Sequence, residues 1–311
     1  MSVPIIYKST DTGAPVVVGS DRTSVANLLN KCLVTGYGGK AAAGWTMPFV
    51  NAEGTIAAFR NSKTTGTGFF LKIDQTVSAT YPYQFKVNAF EAMSSEVYGT
   101  IPFGELSYST NASNTTNSTV RPWLVVANEN WAFVNFMPGA TTFPTRAAML
   151  SSPNTFNGTF FFFGDIEKIN ASDGFACMFA YTQSSSGLGT SSAPGAQAGA
   201  PYTIARKLSG VVGPHVPGVS LAPPQKAGIF QYAGGPYTDD SGLICSKLYV
   251  SDIESTTLVV HRGHFNRLLV PHQKPPYEVL EQVAIDGKTY THLMVCPYSN
   301  NVISMLIGMT P

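Results

Sequence analysis

Glycine and proline interrupt this chain too often for long helices to form. The 29 glycines and 21 prolines of its 311 residues fall at short intervals between runs of Val, Phe, Tyr, Ile and Thr. That is the punctuation of an all-β protein built as sandwich-like or barrel-like sheets. The runs read as strands at 15–19, 55–60, 68–74, 83–91, 123–127, 131–137, 159–164, 175–181, 242–250, 257–261, 278–285, 289–296 and 302–307. Several alternate apolar with polar residues, as a sheet with one solvated face requires.

One short amphipathic helix is predicted over 23–34. Val25, Leu28, Leu29 and Cys32 fall at i, i+3, i+4 and i+7, a single apolar stripe that must pack on a sheet, with Asp21 or Thr23 as its cap. A shorter helical turn fits 145–150, ahead of Pro153.

Two segments break the strand pattern. Ser107–Thr119 is almost pure Ser, Thr and Asn and has nothing to bury, so it reads as an exposed loop or a boundary. This divides the chain into a β-rich part at 1–110, carrying the helix, and a second β-rich part at 111–311. Ser184–Pro201 is Gly/Ser/Ala/Pro low complexity, and Pro214–Pro224 continues in an extended, non-sheet style. Residues 184–226 therefore read as an arm of the second part. Within it Gly213, Pro214, Pro217, Pro223 and Pro224 are the candidate inter-subunit contacts, because extended proline-bearing backbone loses less entropy on docking than a Gly/Ser coil.

Charged residues make up only 12% of the chain and the formal net charge is +1, where a soluble domain carries about 25%. No broad field exists to gather phosphate backbones or anionic lipid, so neither nucleic acid nor membrane is an expected partner. Little self-repulsion opposes association, which points to assembly. The N-terminal segment lacks the basic-then-apolar pattern of a signal peptide, and no run reaches the length of a membrane-spanning helix. Cys32, Cys177, Cys245 and Cys296 are scattered and read as buried thiols, without a disulfide or metal framework.

Catalytic patterns do not assemble, and no cofactor is expected. Gly36–Ala41 nominally matches a G-x-G-x-x-A dinucleotide fingerprint, but a helix precedes it, Gly44 and Pro48 interrupt the stretch where its long helix should run, and no acid stands near position 60. The same segment fails as a phosphate loop, since Ala41 succeeds Lys40. His261 and His264, with His272, Asp252 and Glu254 nearby, form the best metal-like group, yet they read as polar loop histidines beside Arg262 and Arg267. Gly218-Val-Ser220-Leu-Ala222 lacks the strand that presents a nucleophile elbow. Asp239-Asp240 sits in a Gly-rich turn where adjacent acids are solvated. Five Asn-x-Ser/Thr sequons, starting at Asn111, Asn114, Asn117, Asn157 and Asn170, are what Asn/Thr-rich loops produce.

Leu28–Phe49 (LLNKCLVTGYGGKAAAGWTMPF) resembles a family of tailed-bacteriophage virion proteins. Further similar stretches occur in that family's order: Ala58–Asn61, Gly68–Asp74, Phe90–Met93, Arg121-Pro122-Trp123, Phe161–Ile166, Asp173–Cys177, Arg262-Gly263 and Gly287–Tyr290. The likeness runs from about residue 24 to the C-terminus and excludes the arm and the Asn/Thr loop. It implies a virion protein of the tail or neck, a sheath, tube-associated or baseplate subunit without enzymatic activity, made in the host cytoplasm. Its expected partners are copies of itself, in a ring or stacked rings, and other phage tail or neck proteins. A receptor- or carbohydrate-binding module, suggested by Trp123, Trp131 and the 14 tyrosines, and a capsid decoration protein are the alternatives.

Overall fold

The computed structural model describes residues 2–78, 84–109, 119–137, 140–151, 159–168, 170, 174, 176–181, 202–204, 245–253, 259–271, 277–285, 287–298 and 301–309. The fold is all-β, as its punctuation requires: three antiparallel sheets with short helical segments at 24–35 and 146–151.

The aromatic runs explain the layering. Trp123–Ala127 (β7), Trp131–Phe136 (β8) and the phenylalanines Phe160–Phe163 of Thr159–Gly164 (β9) are buried at successive positions. A strand with both faces dry needs apolar residues on both, so such runs specify a central layer rather than an alternating one. These strands lie inside a six-stranded sheet, with Ile5–Lys8 (β1) on one edge and Cys177–Tyr181 (β11) and Tyr202–Ile204 (β12) on the other.

One face of this sheet meets a five-stranded meander of Thr46–Val50 (β2), Ile56–Arg60 (β3), Phe70–Asp74 (β4), Gln84–Met93 (β5) and Gly99–Ser109 (β6). Phe136 packs edge-on against Phe85 with ring centroids 5.5 Å apart, and Phe163 meets Trp45 at 5.7 Å and Phe103 at 6.0 Å. The opposite face holds Trp131, Phe133 and Phe162, and Phe162 meets Phe265 at 4.8 Å. Phe265 belongs to the third sheet, of Glu167–Lys168 (β10), Cys245–Ile253 (β13), Val259–Pro271 (β14), Gln282–Ile285 (β15), Lys288–Tyr298 (β16) and Asn301–Gly308 (β17). Among the described residues the main hydrophobic core runs through all three layers. In β5, by contrast, burial alternates residue by residue, because only its inner face is dry.

The helix forms where the apolar stripe places it, as Ser24–Leu29 (α1), and continues as a π-helical turn over Asn30–Thr35 to Gly36, whose φ is 76°. Its expected cap is corrected. The Thr23 side chain makes no capping bond, and Asp21 Oδ1 is occupied by Thr23's own N–H and hydroxyl, each at 2.7 Å. The acceptor comes from the end of β4: Gln75 Oε1 takes the N–H groups of Val25 and Ala26 at 3.1 and 3.2 Å. The second helix, Arg146–Ser151 (α2), falls within one residue of its expected place.

Other departures have local reasons. The run at 15–19 contributes one isolated bridge, Val18 to Val120, instead of a strand. Strands β2 and β6 contain Pro48 and Pro102, which argue against sheet from sequence alone; both are edge strands, where a missing N–H is tolerated. Strand β1 pairs with β7, across residue 110. Tyr202–Ile204, inside the span read as an arm, is the outer strand beside β11.

Candidate functional site

A cluster of buried polar side chains lies where the β3–β4 loop, the β7–β8 turn and the end of β9 meet. The β3–β4 loop supplies Asn61, Thr65 and Thr67; the β7–β8 turn supplies Asn128 and Asn130; Asp165 comes directly after β9. Asn61, Asn128, Asn130 and Asp165 are all buried. Asp165 Oδ2 accepts hydrogen bonds from the Thr67 N–H and Asn61 Nδ2, each at 2.9 Å. Asn61 Nδ2 also donates to the Asn130 carbonyl at 2.9 Å, and the Thr65 hydroxyl donates to Asn130 Oδ1 at 2.8 Å. Asn128 Oδ1 closes the hairpin by accepting the N–H groups of Asn130 and Trp131.

Gly66 lies against this knot so closely that a Cβ there would run into Asp165 Oδ2 and Asn130 Oδ1. Burial pushes the Asp165 carboxyl above its ordinary value, and the bonds from Thr67 and Asn61 with the Lys168 ammonium at 3.8 Å offset this only in part. Asn61 Oδ1 and Asp165 Oδ1 are buried without a hydrogen-bond partner. Hydrogen-bond donors and carbonyls surround this carboxyl, so its geometry cross-links three loops. The Thr67 hydroxyl also donates to Asp165 Oδ2, at 3.4 Å.

A second cluster explains the glycine-rich segment. Gly36, Gly38 and Gly39 all have positive φ, and Tyr37 and Lys40 bridge across a two-residue turn. Gly38 lies on the Thr12 carbonyl, where a Cβ has no room. The turn delivers Lys40 Nζ to Asp11 Oδ2 at 2.6 Å and to the Ile6 carbonyl at 2.7 Å. The Tyr37 hydroxyl donates to the same Asp11 oxygen at 2.9 Å. These contacts tie β1 to the end of the helix, and Gly36 and Gly38 allow the close backbone approaches to Lys40 and Thr12.

The described members of the metal-like group stand on the third sheet, and His261 and His264, expected in a loop, are strand residues of β14. His264 Nε2 lies 2.9 Å from Glu167 Oε2, across the β10–β14 pair. His261 and Asp252 occupy β14 and β13, where a register shift intervenes between Val250 and Ser251. Among the described residues no group of three or more His, Cys, Asp or Glu is placed to hold a metal. His272, Glu254, Ser220, Asp239, Asp240 and the candidate contacts Gly213, Pro214, Pro217, Pro223 and Pro224 lie outside the described residues.

Cys32 and Cys177 are buried free thiols, and burial pushes both above the ordinary thiol range. Between the central and third sheets, Trp131, Phe133, Phe162, Phe265, Arg267, Leu268 and Ile307 surround a cavity of about 10 Å³, room for about one water molecule. Sequence reasoning missed the Asn61–Asn130–Asp165 knot. Its one sequence signal is an acid directly after Phe160–Gly164, where an apolar strand would otherwise run on. The chain matches no protein-family model and no curated protein sequence.

Proposed function

We propose that this chain is a structural component of a bacteriophage virion, a tail or neck protein that works by subunit–subunit assembly. The reading rests on where the virion-like motifs fall. Leu28–Phe49 holds the helix, the glycine turn and Trp45, whose indole donates to the Asn128 carbonyl at 2.6 Å. Gly68–Asp74 contains β4. Trp123 donates to the Pro15 carbonyl at 2.9 Å, and Phe161–Ile166 carries the central strand into Asp165. These four motifs sit on contacts within and between the layers, as expected of a family defined by architecture rather than by a reaction.

Low charge supports the same reading, since few ionic groups need desolvation when such surfaces meet. The receptor- or carbohydrate-binding alternative drew on Trp123, Trp131 and the 14 tyrosines; the two tryptophans are 0% and 4% exposed and offer no ring to a sugar, whereas Tyr98 is 73% exposed. Under the proposal Gly213, Pro214, Pro217, Pro223 and Pro224 contact a neighbouring subunit, and deleting 213–224 should weaken particles.

The direct test is light scattering and electron imaging of the purified chain, with mass spectrometry of virions from a phage that encodes it. Rings or stacked rings, and peptides of the chain in virions, are expected. A chain that stays monomeric at high concentration and is missing from virions overturns the proposal.

A further inference from the structure

Beside the main core, on the face of β16 opposite Leu293, lies a small second cluster, and the segment over it is tied to the main core through Leu280. His292 of β16 is fully buried, and two positions along, on the same face, lies Met294. Met149 of α2 packs on Met294, with Leu150 and Val279 beside them, as a small hydrophobic cluster of its own. The segment 277–281, just before β15, wraps the histidine. Leu280 N–H donates to the His292 carbonyl at 2.7 Å, and His292 N–H donates to the Glu281 carbonyl at 2.9 Å. His292 Nδ1 lies 2.9 Å from the Glu278 carbonyl, which as an acceptor calls for the proton on Nδ1. The Tyr277 ring stands edge-on to the imidazole at 6.1 Å.

The wrap holds α2 as well, since Arg146 N–H donates to Glu278 Oε2 at 3.0 Å. It also keeps Leu280 at φ 68°, a conformation that costs a non-glycine residue energy. We propose that residues 277–281 and α2, with Met149 on its inner side, form an acid-released latch over Met294 of β16, with His292 as its sensor.

The physical argument is local linkage. A charged imidazole beneath the latch loses its hydration, whereas opening the latch returns it to water. Burial is the largest influence and pushes the His292 pKa below its ordinary 6.5; the Arg146 charge acts the same way, against the Glu278 and Tyr277 carbonyls and the Glu281 carboxylate. Glu278 and Glu281 are themselves engaged, through Arg146 N–H and Glu278 N–H. On β17 the residue opposite His292 is Leu306, which carries no charge. The open state therefore binds the proton more readily, and its population grows below pH 6.5, by up to about tenfold at pH 5.5.

Hydrogen exchange corrected for intrinsic rates tests this on the full chain at pH 7.5 and 5.5. Peptides covering 146–151 and 277–281 should open up to about tenfold more at pH 5.5, while β5 stays unchanged. His292→Gln should remove that dependence, and Arg146→Gln should reduce it. Should His292→Gln fail to fold, an NMR titration of His292 in the parent chain is read with the exchange of 146–151 and 277–281 over the same pH range: a midpoint below 6.5 together with exchange that rises toward acid in those segments alone supports the latch. A midpoint at or above 6.5, pH-independent exchange in the parent, or an undiminished dependence in His292→Gln overturns it.

Discussion

Asn61 and Asp165 are joined by a 2.9 Å hydrogen bond across 104 residues of sequence, and that bond ties the β3–β4 loop to the end of the central sheet. The carboxylate is costly there because it is buried, and its acceptor role needs only one oxygen, Oδ2. Asp165→Asn keeps an acceptor for Asn61 and Thr67 while removing the charge, so stability should change by less than about 1 kcal/mol. Asp165→Ala removes the acceptor of the Thr67 N–H and of one of the two bonds that Asn61 Nδ2 donates, and should cost about 2–4 kcal/mol. Urea unfolding midpoints of the two variants distinguish these outcomes.

Gln75 substitutes for a local helix cap, accepting from two otherwise orphaned N–H groups. Gln75→Ala should cost about 1–2 kcal/mol, within the range for lost caps. Gln75→Glu preserves the acceptor and sets a negative charge at the positive end of the helix, so its loss should be smaller. Denaturant midpoints rank the pair, and equal losses would mean that the capping oxygen does not matter.

How much was legible depends on the range of each interaction. Phe160–Phe163 and the alternation in β5 report burial through neighbours in sequence, so the strands were readable. The helix was readable from Val25, Leu28, Leu29 and Cys32. Its cap was not, because Gln75 lies 50 residues from Val25 and nothing about a lone Gln marks it. Strands β2 and β6 were hidden because Pro48 and Pro102 oppose sheet unless the strand is known to be an edge, a property of the assembled sheet. The knot was hidden for the same reason: Asn61, Asn130 and Asp165 come from three separate turns, and polar residues in turns ordinarily face water.

The glycine turn predicts a contrast between adjacent positions. Gly39 has φ 84° with open space around it, whereas Gly38 has φ 55° and abuts the Thr12 carbonyl. Gly39→Ala should cost only the left-handed strain of about 1–2 kcal/mol. Gly38→Ala adds a backbone collision and should cost distinctly more, loosening the Asp11–Lys40 contact with it. Thermal unfolding of both variants checks the order, and equal losses would show that the close approach to Thr12 is relaxed in solution.

Asp11 and Asp165 should give stability profiles of opposite sign against pH. Burial alone would raise the Asp11 carboxyl, but hydrogen bonds from Lys40, the Lys8 N–H and Tyr37, with the Lys40 charge, carry it below its ordinary 3.8. Its contribution is therefore present above 3.8 and is lost as pH falls through the folded value. Asp165 is held above 3.8, so its contribution is complete below 3.8 and is lost as pH rises through the folded value. Unfolding midpoints between about pH 2 and 7 for the parent, Asp11→Asn and Asp165→Asn isolate each profile as a difference curve. The advantage of the parent over Asp11→Asn should shrink toward acid, because protonation removes the ion pair that the variant already lacks. The parent should lose ground to Asp165→Asn as pH rises, because only the parent must then carry a buried charge. Difference curves of the same sign would mean that one of these carboxyls is not in the environment described.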